Sequence, residues 1–408
     1  MTLQVKSQRR WWVWIVGIVA TIGVLFVIGS LLWLYFARIN HEPTSGTTKS
    51  EEKATPYITK LSSNSLFTGN IYWGRYLNDW SRVSDLKTAY PFSRLKEFNR
   101  DSYQNWIAGL ECPLAVGVNL TSAQEEDTLS FNCSPEYLPE AAKWFNIVTL
   151  ANNHTDNQGV EAFTETQKHL DEHKIQYFGH YDPRALEDLC EVVSINAIAT
   201  YSDNATKNVK LPVALCGYHG VFRIPTEEAL AVMEKYSEIM PVIAMPHAGA
   251  EYKAEPDELK TNLYRSMIDH GADIVIGDHP HWIQSTEAYK GKLIVYSMGN
   301  FIFDQQFNKE VTRSATIRLL LGATGKAEDL VAWTALGEKC GSYHDTCLDE
   351  AKEKGLTKLD FSYKYDAIGS TNANRLTHPA SVSEQREILQ RLRWDQTMNR
   401  LEPPHAKL

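Results

Sequence analysis

The stretch ADIVIGDHPH, residues 272–281, decides how this chain folds. Residues 272–276 are mostly apolar and β-branched and lie between two glycines, which predicts a short buried strand that ends where the histidines begin. Two more apolar runs end in the same way: residues 240–245 stop at PHAGAE (246–251), and residues 293–297 stop just before GN (299–300). Three buried strands with polar groups at their carboxyl ends are typical of an α/β or layered β-sandwich enzyme, whose site lies beyond the sheet edge.

The pair His279 and His281 indicates a metal site. Helical spacing does not explain the pair, but Pro280 between them fixes the turn, so that both imidazoles can face one point. Neutral imidazole is the commonest protein ligand for ions such as Zn, Mn or Fe. A pair of loop histidines with hydrogen bonds satisfied inside the protein is the alternative, and this pattern alone leaves both open.

Three earlier strands also end in residues that can bind metals. Residues 65–68 lead to Asn70, residues 106–110 to Glu111, and residues 145–151 to the run Asn152, Asn153, His154. Gly69 and Gly74 lie on either side of Asn70. Glycine allows close approach of the backbone to a ligand. For Asn70 or Glu111 taken alone, an ordinary loop residue is the simpler interpretation.

The N-terminus predicts a membrane anchor. Residues 11–37 carry no charge and are dominated by Ile, Val, Leu, Trp and Phe, and they exceed the roughly 20 residues that span a hydrocarbon core. Three cations precede the run within residues 6–10 and only Arg38 closely follows it, so the positive-inside rule places the N-terminus in the cytoplasm and the rest of the chain outside. A cleaved signal peptide is the alternative, but no small-residue cleavage site ends the long run.

Composition gives the rest of the domain organisation. We divide the chain into a cytoplasmic segment (1–10), the anchor (11–37), a polar linker (38–60), one large domain (61–325) and a C-terminal extension packed on that domain (326–408), to which the sequence assigns no role. The net charge is −9 without a basic run. That balance argues against nucleic acid or an anionic membrane surface as a partner.

Six motifs together resemble the CapA/PgsA capsule-synthesis family, which belongs to the calcineurin-like metallophosphatase superfamily. They occur in the family's order between residues 65 and 320, and the combination of Asn-Asn-His with a later His-Pro-His is specific. The motifs are TGNI (68–71), GLECP (109–113), LANNH (150–154), PHAGAEY (246–252), GDHPH (277–281) and YSMGNF (296–301).

The resemblance implies an α/β fold of four layers, α/β/β/α, with a site for one or two divalent ions of Mn, Fe or Zn. It implies that Glu111 bridges the ions and that His154 contacts a phosphoryl-like group as a general acid or as a transition-state stabiliser. The ligand positions fall on Asn70, Glu111, Asn153, His247, His279 and His281, and further binding positions on Arg75, Asn152, Glu251 and Asn300.

One residue departs from the family's pattern, since Asn70 stands where the family usually carries Asp. An amide oxygen can coordinate a metal ion but brings no negative charge, so Glu111 is the one anionic group among the predicted ligands and one metal position is weakened.

The resemblance also implies a role and a place in the cell. It predicts a single-pass protein of the bacterial cell membrane that helps to make or export a poly-γ-glutamate capsule alongside membrane synthase subunits. An anionic polymer or a phosphoryl-type compound would be the substrate of its hydrolase-like site. The alternative is a non-catalytic scaffold or polymer-binding subunit.

Cysteine usage predicts disulfides. The chain has six cysteines, all beyond the predicted anchor, and an even number on the extracytoplasmic side indicates bridges, with buried free thiols as the alternative. Cys112 adjoins Glu111, so a bridge from Cys112 to Cys133 would hold the backbone of that predicted ligand. Bridges between Cys190 and Cys216 and between Cys340 and Cys347 would complete the set.

Overall fold

The computed structural model describes residues 29–36, 55–340 and 344–408. The chain divides into two units, Met1–Thr55 and Pro56–Leu408. In the first unit residues 29–36 are helical, and the rest of the predicted anchor and most of the predicted linker lie outside the described residues. Within the described ranges, no helix combines the length and the apolar character that crossing a membrane requires.

The second unit is rich in β-structure. Its strands are β1 (Ile58–Ile71), β2 (Asn105–Leu110), β3 (Ile147–Thr149), β4 (Gln176–Phe178), β5 (Cys190–Tyr201), β6 (Thr206–Gly220), β7 (Val242–Ala248), β8 (Ile274–Ile276), β9 (Thr286–Tyr289), β10 (Lys292–Val295), β11 (Asn300–Ile302), β12 (Arg313–Thr324), β13 (Asp360–Thr371), β14 (His378–Pro379) and β15 (His405–Lys407). Its α-helices are Arg75–Val83, Ser122–Thr128, Leu138–Ala141, Val160–Glu172, Glu227–Ala231, Glu234–Ser237, Glu258–Asp269, Ala327–Cys340, His344–Glu353, Val382–Leu392 and Trp394–Met398. Short 3-10 helices are Lys87–Phe92, Leu95–Phe98, Arg100–Ser102, Pro135–Tyr137 and Leu186–Asp188.

Strand β1 is the branch point of the sheet. Its first half pairs with β5 and β12, both antiparallel, and its second half pairs with β2 and β11, both parallel. One run of strands continues as β5-β6-β7-β8-β10-β9, a second as β12-β13-β14, and a third as β2-β3-β4. The sequence indicated only residues 65–68 as a strand, because the polar residues 62–65 interrupt the apolar pattern there although Ser63 and Ser65 are buried.

Two buried cores lie on opposite faces of the β2-β3 pair. Ile107 and Ile147 belong to a core shared with β5, β6, β7 and β8, whereas Trp106 and Val148 belong to an aromatic core shared with β11. Successive side chains of a strand point to opposite faces, so a strand covered on both faces is apolar throughout. This layered arrangement of helices and mixed strands confirms the predicted α/β class.

The parallel pairings bring the predicted site residues to one edge. Strands β1, β2 and β3 run parallel to one another, and so do β6, β7, β8 and β10. The carboxyl ends of parallel strands meet at the same edge of a sheet, where sites of α/β proteins lie. Every one of the six motifs lies at or directly after a strand exit.

The C-terminal region continues the same sheet. Residues 322–358, which carry little pattern in the sequence, contain the end of β12 and two helices, Ala327–Cys340 and His344–Glu353. Strand β13 then pairs with β12 along twelve residues. The helix Val382–Leu392 buries Ile388 and Leu392.

All three predicted disulfides are confirmed. Cys112 is bonded to Cys133, Cys190 to Cys216, and Cys340 to Cys347. The second bridge joins residues that lie opposite each other in the β5-β6 ladder.

Candidate metal centre

Three predicted ligands form one group at the exits of β3, β7 and β8. His247 Nε2 lies 2.8 Å from Asn153 Oδ1 and 3.1 Å from His279 Nδ1. The two imidazole rings are 4.8 Å apart between centroids. Two atoms from two other strand exits therefore lie within hydrogen-bond distance of His247 Nε2, so three possible ligand atoms lie together.

A second group joins the exits of β1, β2 and β8. His281 Nε2 lies 3.6 Å from Glu111 Oε1, and both side chains are buried. Asn70 is paired in register with Gly109 of β2, and its Oδ1 lies 3.3 Å from the position that a Cβ at Gly109 would take. Glycine at position 109 therefore leaves the space that the Asn70 amide occupies.

Hydrogen bonds fix which nitrogen of His281 can accept. Asn300 Nδ2 donates to the backbone carbonyl of Val311 at 3.3 Å, so the Oδ1 of that amide is an acceptor. His281 Nδ1 lies 2.8 Å from this oxygen and must donate to it. In the neutral ring the lone pair is then on Nε2, which is the atom nearest Glu111, and this is the tautomer that a metal ligand needs.

Burial keeps the four histidines of the site neutral. It lowers the pKa of His281 and of His154 to about 4, against an ordinary value of 6.5. It also lowers the pKa of His247 and His279 well below that value, with the neighbouring histidines as a further cause. All four rings are therefore in the neutral form that binds metals at neutral pH.

The carboxyl groups of the site show the opposite shift. Burial raises the pKa of Glu111 well above its usual range, and the charges of Asp278 and Glu251 raise it further. Burial also raises the pKa of Asp278 to about 8. The site therefore contains two buried carboxyl groups with raised pKa values, and a bound cation would favour their charged forms.

Unsatisfied polar atoms test whether the residues fit an ion. Both oxygens of Glu111 and both polar atoms of the Asn70 amide are buried without a hydrogen-bond partner among the residues that the structure describes. Such atoms are rare because each costs free energy on burial, and a bound cation would satisfy the oxygens. In the same residues no three His, Cys, Asp or Glu side chains surround one point. The site therefore fits a divalent ion if the amide oxygens of Asn70 and Asn153 contribute to its shell.

His154 is held by Asn157, which the sequence did not indicate. The backbone N–H of Phe131 donates to Asn157 Oδ1 at 2.8 Å, so that oxygen is an acceptor and His154 Nδ1, also at 2.8 Å, must donate to it. The Phe131 ring stacks on the imidazole with centroids 3.9 Å apart. In the neutral ring Nε2 carries the lone pair, so this nitrogen can accept a hydrogen bond. To act as the predicted general acid, the ring would need a second proton, on Nε2.

Arg75 is paired inside the protein. Its guanidinium forms two hydrogen bonds with Asp304, of 3.0 and 2.7 Å, and lies 4.6 Å from the Phe131 ring centroid. The buried Asp304 neutralises the charge that the sequence assigned to ligand binding. Phe131 contacts both Arg75 and His154. The Arg75–Asp304 ion pair therefore supports the ring that stacks on His154.

The other predicted binding residues differ in position. Asn152 contacts His247 Nδ1 at 3.2 Å and accepts a hydrogen bond from the backbone N–H of His154. It therefore orients these two histidines. Asn300 does the same for His281. Glu251 is exposed, and its negative charge raises the pKa of Glu111. Tyr252, which the sequence did not indicate, stacks on His281 with centroids 5.6 Å apart.

With this fold and this cluster in place, comparison with known families assigns the class of protein. The family described as "Bacterial capsule synthesis protein PGA_cap" matches residues 64–305. The match covers more than half of the chain, and the chain belongs to this family. The predicted capsule-synthesis family is thereby confirmed.

Curated relatives carry related names. The chain is 29% identical over 293 residues to the PGA biosynthesis protein CapA of Bacillus subtilis (strain 168), covering 67% of this chain and 73% of that protein. It is 26% identical over 271 residues to the capsule biosynthesis protein CapA of Bacillus anthracis, covering 64% of each. Among solved structures, TT1561 of Thermus thermophilus has a TM-score of 0.34 and 11% identity, with 62% of this chain and 93% of that chain covered. A likeness at that level supports no conclusion.

Proposed function

We propose that this protein is a membrane-anchored, extracytoplasmic component of capsule biosynthesis or export, of the poly-γ-glutamate type, with a metal-binding, hydrolase-like site. One observation carries the proposal: neutral histidines and unpaired buried carboxylates converge at the strand exits of a chain in a capsule-synthesis family. The names of the two Bacillus relatives support the biological role. The two cores on either side of β2 and β3 support a four-layer α/β/β/α arrangement.

Two sets of residues would hold the metal. Asn153, His247 and His279 supply one imidazole-rich set, and Asn70, Glu111 and His281 supply the other. Imidazole with carboxylate and amide oxygen suits Mn, Fe or Zn better than Ca or Mg, which prefer oxygen shells. One or two such ions would act as Lewis acids and make water a nucleophile at neutral pH.

The remaining residues orient and bind. His154 offers the lone pair of Nε2, so it would accept a hydrogen from a water or from a protonated phosphoryl oxygen. Asn157 and the stacked Phe131 hold that ring in place. The substrate is an anionic polymer or a phosphoryl-type compound, and membrane capsule-synthase subunits are the partners in this proposal.

A scaffold function has its own supporting observation. Asn70 brings no charge to the site, and the described residues contain no three acidic, histidine or cysteine side chains around one point. A chain that keeps the fold but binds no metal would act as a polymer-binding or assembly subunit. Metal content therefore separates the two functions.

Metal analysis of the full-length chain, purified without a chelator, tests the proposal. We expect at least one Mn, Fe or Zn ion per chain, and we expect His247→Ala to lose it because three donor atoms meet at that imidazole. His270→Ala is the matched control, since the His270 imidazole pairs with Glu227 and Glu234 and not with a residue of the site. Wild-type protein free of metal would leave the scaffold function, and equal metal content in both variants would show that the ion lies elsewhere.

Reporter fusions test the proposed topology. A C-terminal alkaline phosphatase should be active, because that enzyme folds outside the cytoplasm, and a C-terminal fluorescent protein that matures only in the cytosol should be dark. Fusions to a chain that lacks residues 1–38 provide the control and should give the opposite pair. The opposite pair from the full-length chain would contradict the anchor.

A further inference from the structure

Unpartnered buried oxygens are concentrated at one place in the structure. In the described residues, five side-chain oxygens are buried without a hydrogen bond, and four of them belong to Asn70, Glu111 and Asp278. The fifth belongs to Gln284. Native proteins satisfy nearly all such atoms, so a cluster of four points to a missing partner of positive charge.

Asp278 is part of this cluster. Its side chain is 6% exposed, and its Oδ2 lies 3.4 Å from the position that a Cβ at Gly69 would take, which places it against the end of β1. The other oxygen, Oδ1, accepts from Ser297 Oγ at 3.4 Å. The backbone N–H groups of Asn70 and His279 are close to this carboxylate, but in the described ranges no hydrogen bond reaches Oδ2.

The nearest protein cation forms no direct ion pair with this carboxylate. Lys260 is buried, and its Nζ donates to the backbone carbonyl of Asp278 at 3.4 Å. No ion pair joins Lys260 to the Asp278 carboxylate among the ion pairs of the described residues. The charge of Lys260 lowers the pKa of Asp278, yet Oδ2 faces the end of β1 without a hydrogen bond or an ion pair among the described residues.

We propose that Asp278 supplies the second negative charge of the metal centre, in place of the carboxylate that Asn70 lacks. Glu111 alone would give the ligand set one negative charge, and the ionised form of Asp278, which a bound cation would favour, would raise that number to two and balance a divalent cation. The inference rests on the proposed function, because it assumes that the site binds a divalent ion. It assigns to Asp278 a role that the motif residues on either side did not reveal.

Moving the charge between two positions tests this role. Asp278→Asn in the full-length chain should weaken Mn²⁺ binding about 10–100-fold, measured by competition with a chelator. The double variant Asn70→Asp with Asp278→Asn restores one carboxylate to the same cluster and should bind Mn²⁺ within a few-fold of wild type. Asp156→Asn is the control, because Asp156 pairs with Arg223 at 3.6 Å, and it should leave the affinity unchanged.

The outcomes separate this role from the proposed function. Wild-type protein that binds no Mn²⁺ fails both proposals. Tight binding by wild type and equally tight binding by Asp278→Asn would overturn the role of Asp278 alone. Weak binding by Asp278→Asn that the double variant does not restore would show a merely structural role, and thermal unfolding of the metal-free variants shows whether each one is folded.

Discussion

Strand β8 carries a buried aspartate at each end, and the two have different surroundings. Asp273 precedes the strand and is 8% exposed, and Asp278 follows it and is 6% exposed. Asp273 Oδ2 accepts from the backbone N–H of Val242 at 3.1 Å, and the carboxylate also pairs with Lys292 and Lys358 at 3.4 and 3.7 Å. Asp278 Oδ2 finds no hydrogen-bond partner in the part of the chain that the structure describes.

The histidines show the same contrast. His405, near the Asp273 end, stacks on Tyr363 and shares a hydrogen bond of 2.6 Å with the hydroxyl of Tyr365. At the other end His247 and His279 bring their nitrogens to within 3.1 Å of each other. Polar groups at the amino end of β8 are thus satisfied by the protein, while those at the carboxyl end leave donor atoms for a ligand.

Acidification should destabilise the histidine-rich site at the carboxyl end of β8 most. The pKa of His154 and of His281 is about 4 in the folded chain and 6.5 when unfolded, so between these values the unfolded chain binds more protons. Stability is therefore lost as pH falls from 6.5 to about 4, on the order of 3 kcal/mol for each ring. The raised pKa values of Asp278 and Glu111 act in the opposite direction over this range. The four histidines with lowered pKa values outnumber these two carboxyl groups.

Chemical denaturation of the metal-free chain at pH 7 and pH 5 measures this loss. His281→Asn should reduce the difference between the two pH values, since one buried neutral ring is removed. His270→Asn serves as the comparison because the pKa of His270 is raised, so removing it should enlarge the difference. A stability that rises on acidification would contradict the assignment of neutral rings.

The stability and the metal affinity of the site at the carboxyl end of β8 should also depend on the Cys112–Cys133 disulfide. Replacing Cys112 and Cys133 by Ser opens a loop of 21 residues and should cost about 3 kcal/mol in the chain-entropy model. Cys112 follows Glu111 and the loop carries Phe131, so metal affinity should fall as well. The control replaces Cys340 and Cys347, which span 7 residues, with a cost of about 2 kcal/mol and unchanged affinity. Equal effects of both pairs on metal binding would remove the link to the site.

The smallest expected effect separates the two aspartates directly. Asp273→Asn should destabilise the metal-free chain by about 1 kcal/mol, because its ion pairs with partly exposed lysines are lost. Asp278→Asn should stabilise it by about 1 kcal/mol, because burial raises the pKa of Asp278 to about 8, so that folding at neutral pH must bury a charge or take up a proton, and Asn needs neither. Urea unfolding at neutral pH decides between them, and a loss of stability in both variants would mean that Asp278 has a partner within the protein.

Much of the site follows from local sequence pattern. Apolar runs that end in polar residues located the exits of β1, β2, β3, β7 and β8, because burial on both faces requires continuous apolar sequence. The motifs identified the family, and the position of Cys112 next to Glu111 led to the correct disulfide. The predicted anchor at residues 11–37 and the metal itself stay predictions.

The tertiary structure decided which polar groups are satisfied. The sequence placed Asp273 inside a predicted strand and Asp278 just after it, and it assigned Arg75 to ligand binding, yet Arg75 pairs with Asp304 across 229 residues of sequence. It also gave no sign that Phe131 stacks on His154 or that β1 serves three runs of strands. Periodicity reports the burial of a segment, which is a local property. Hydrogen-bond and ion-pair partners come from distant segments that only the folded chain brings together.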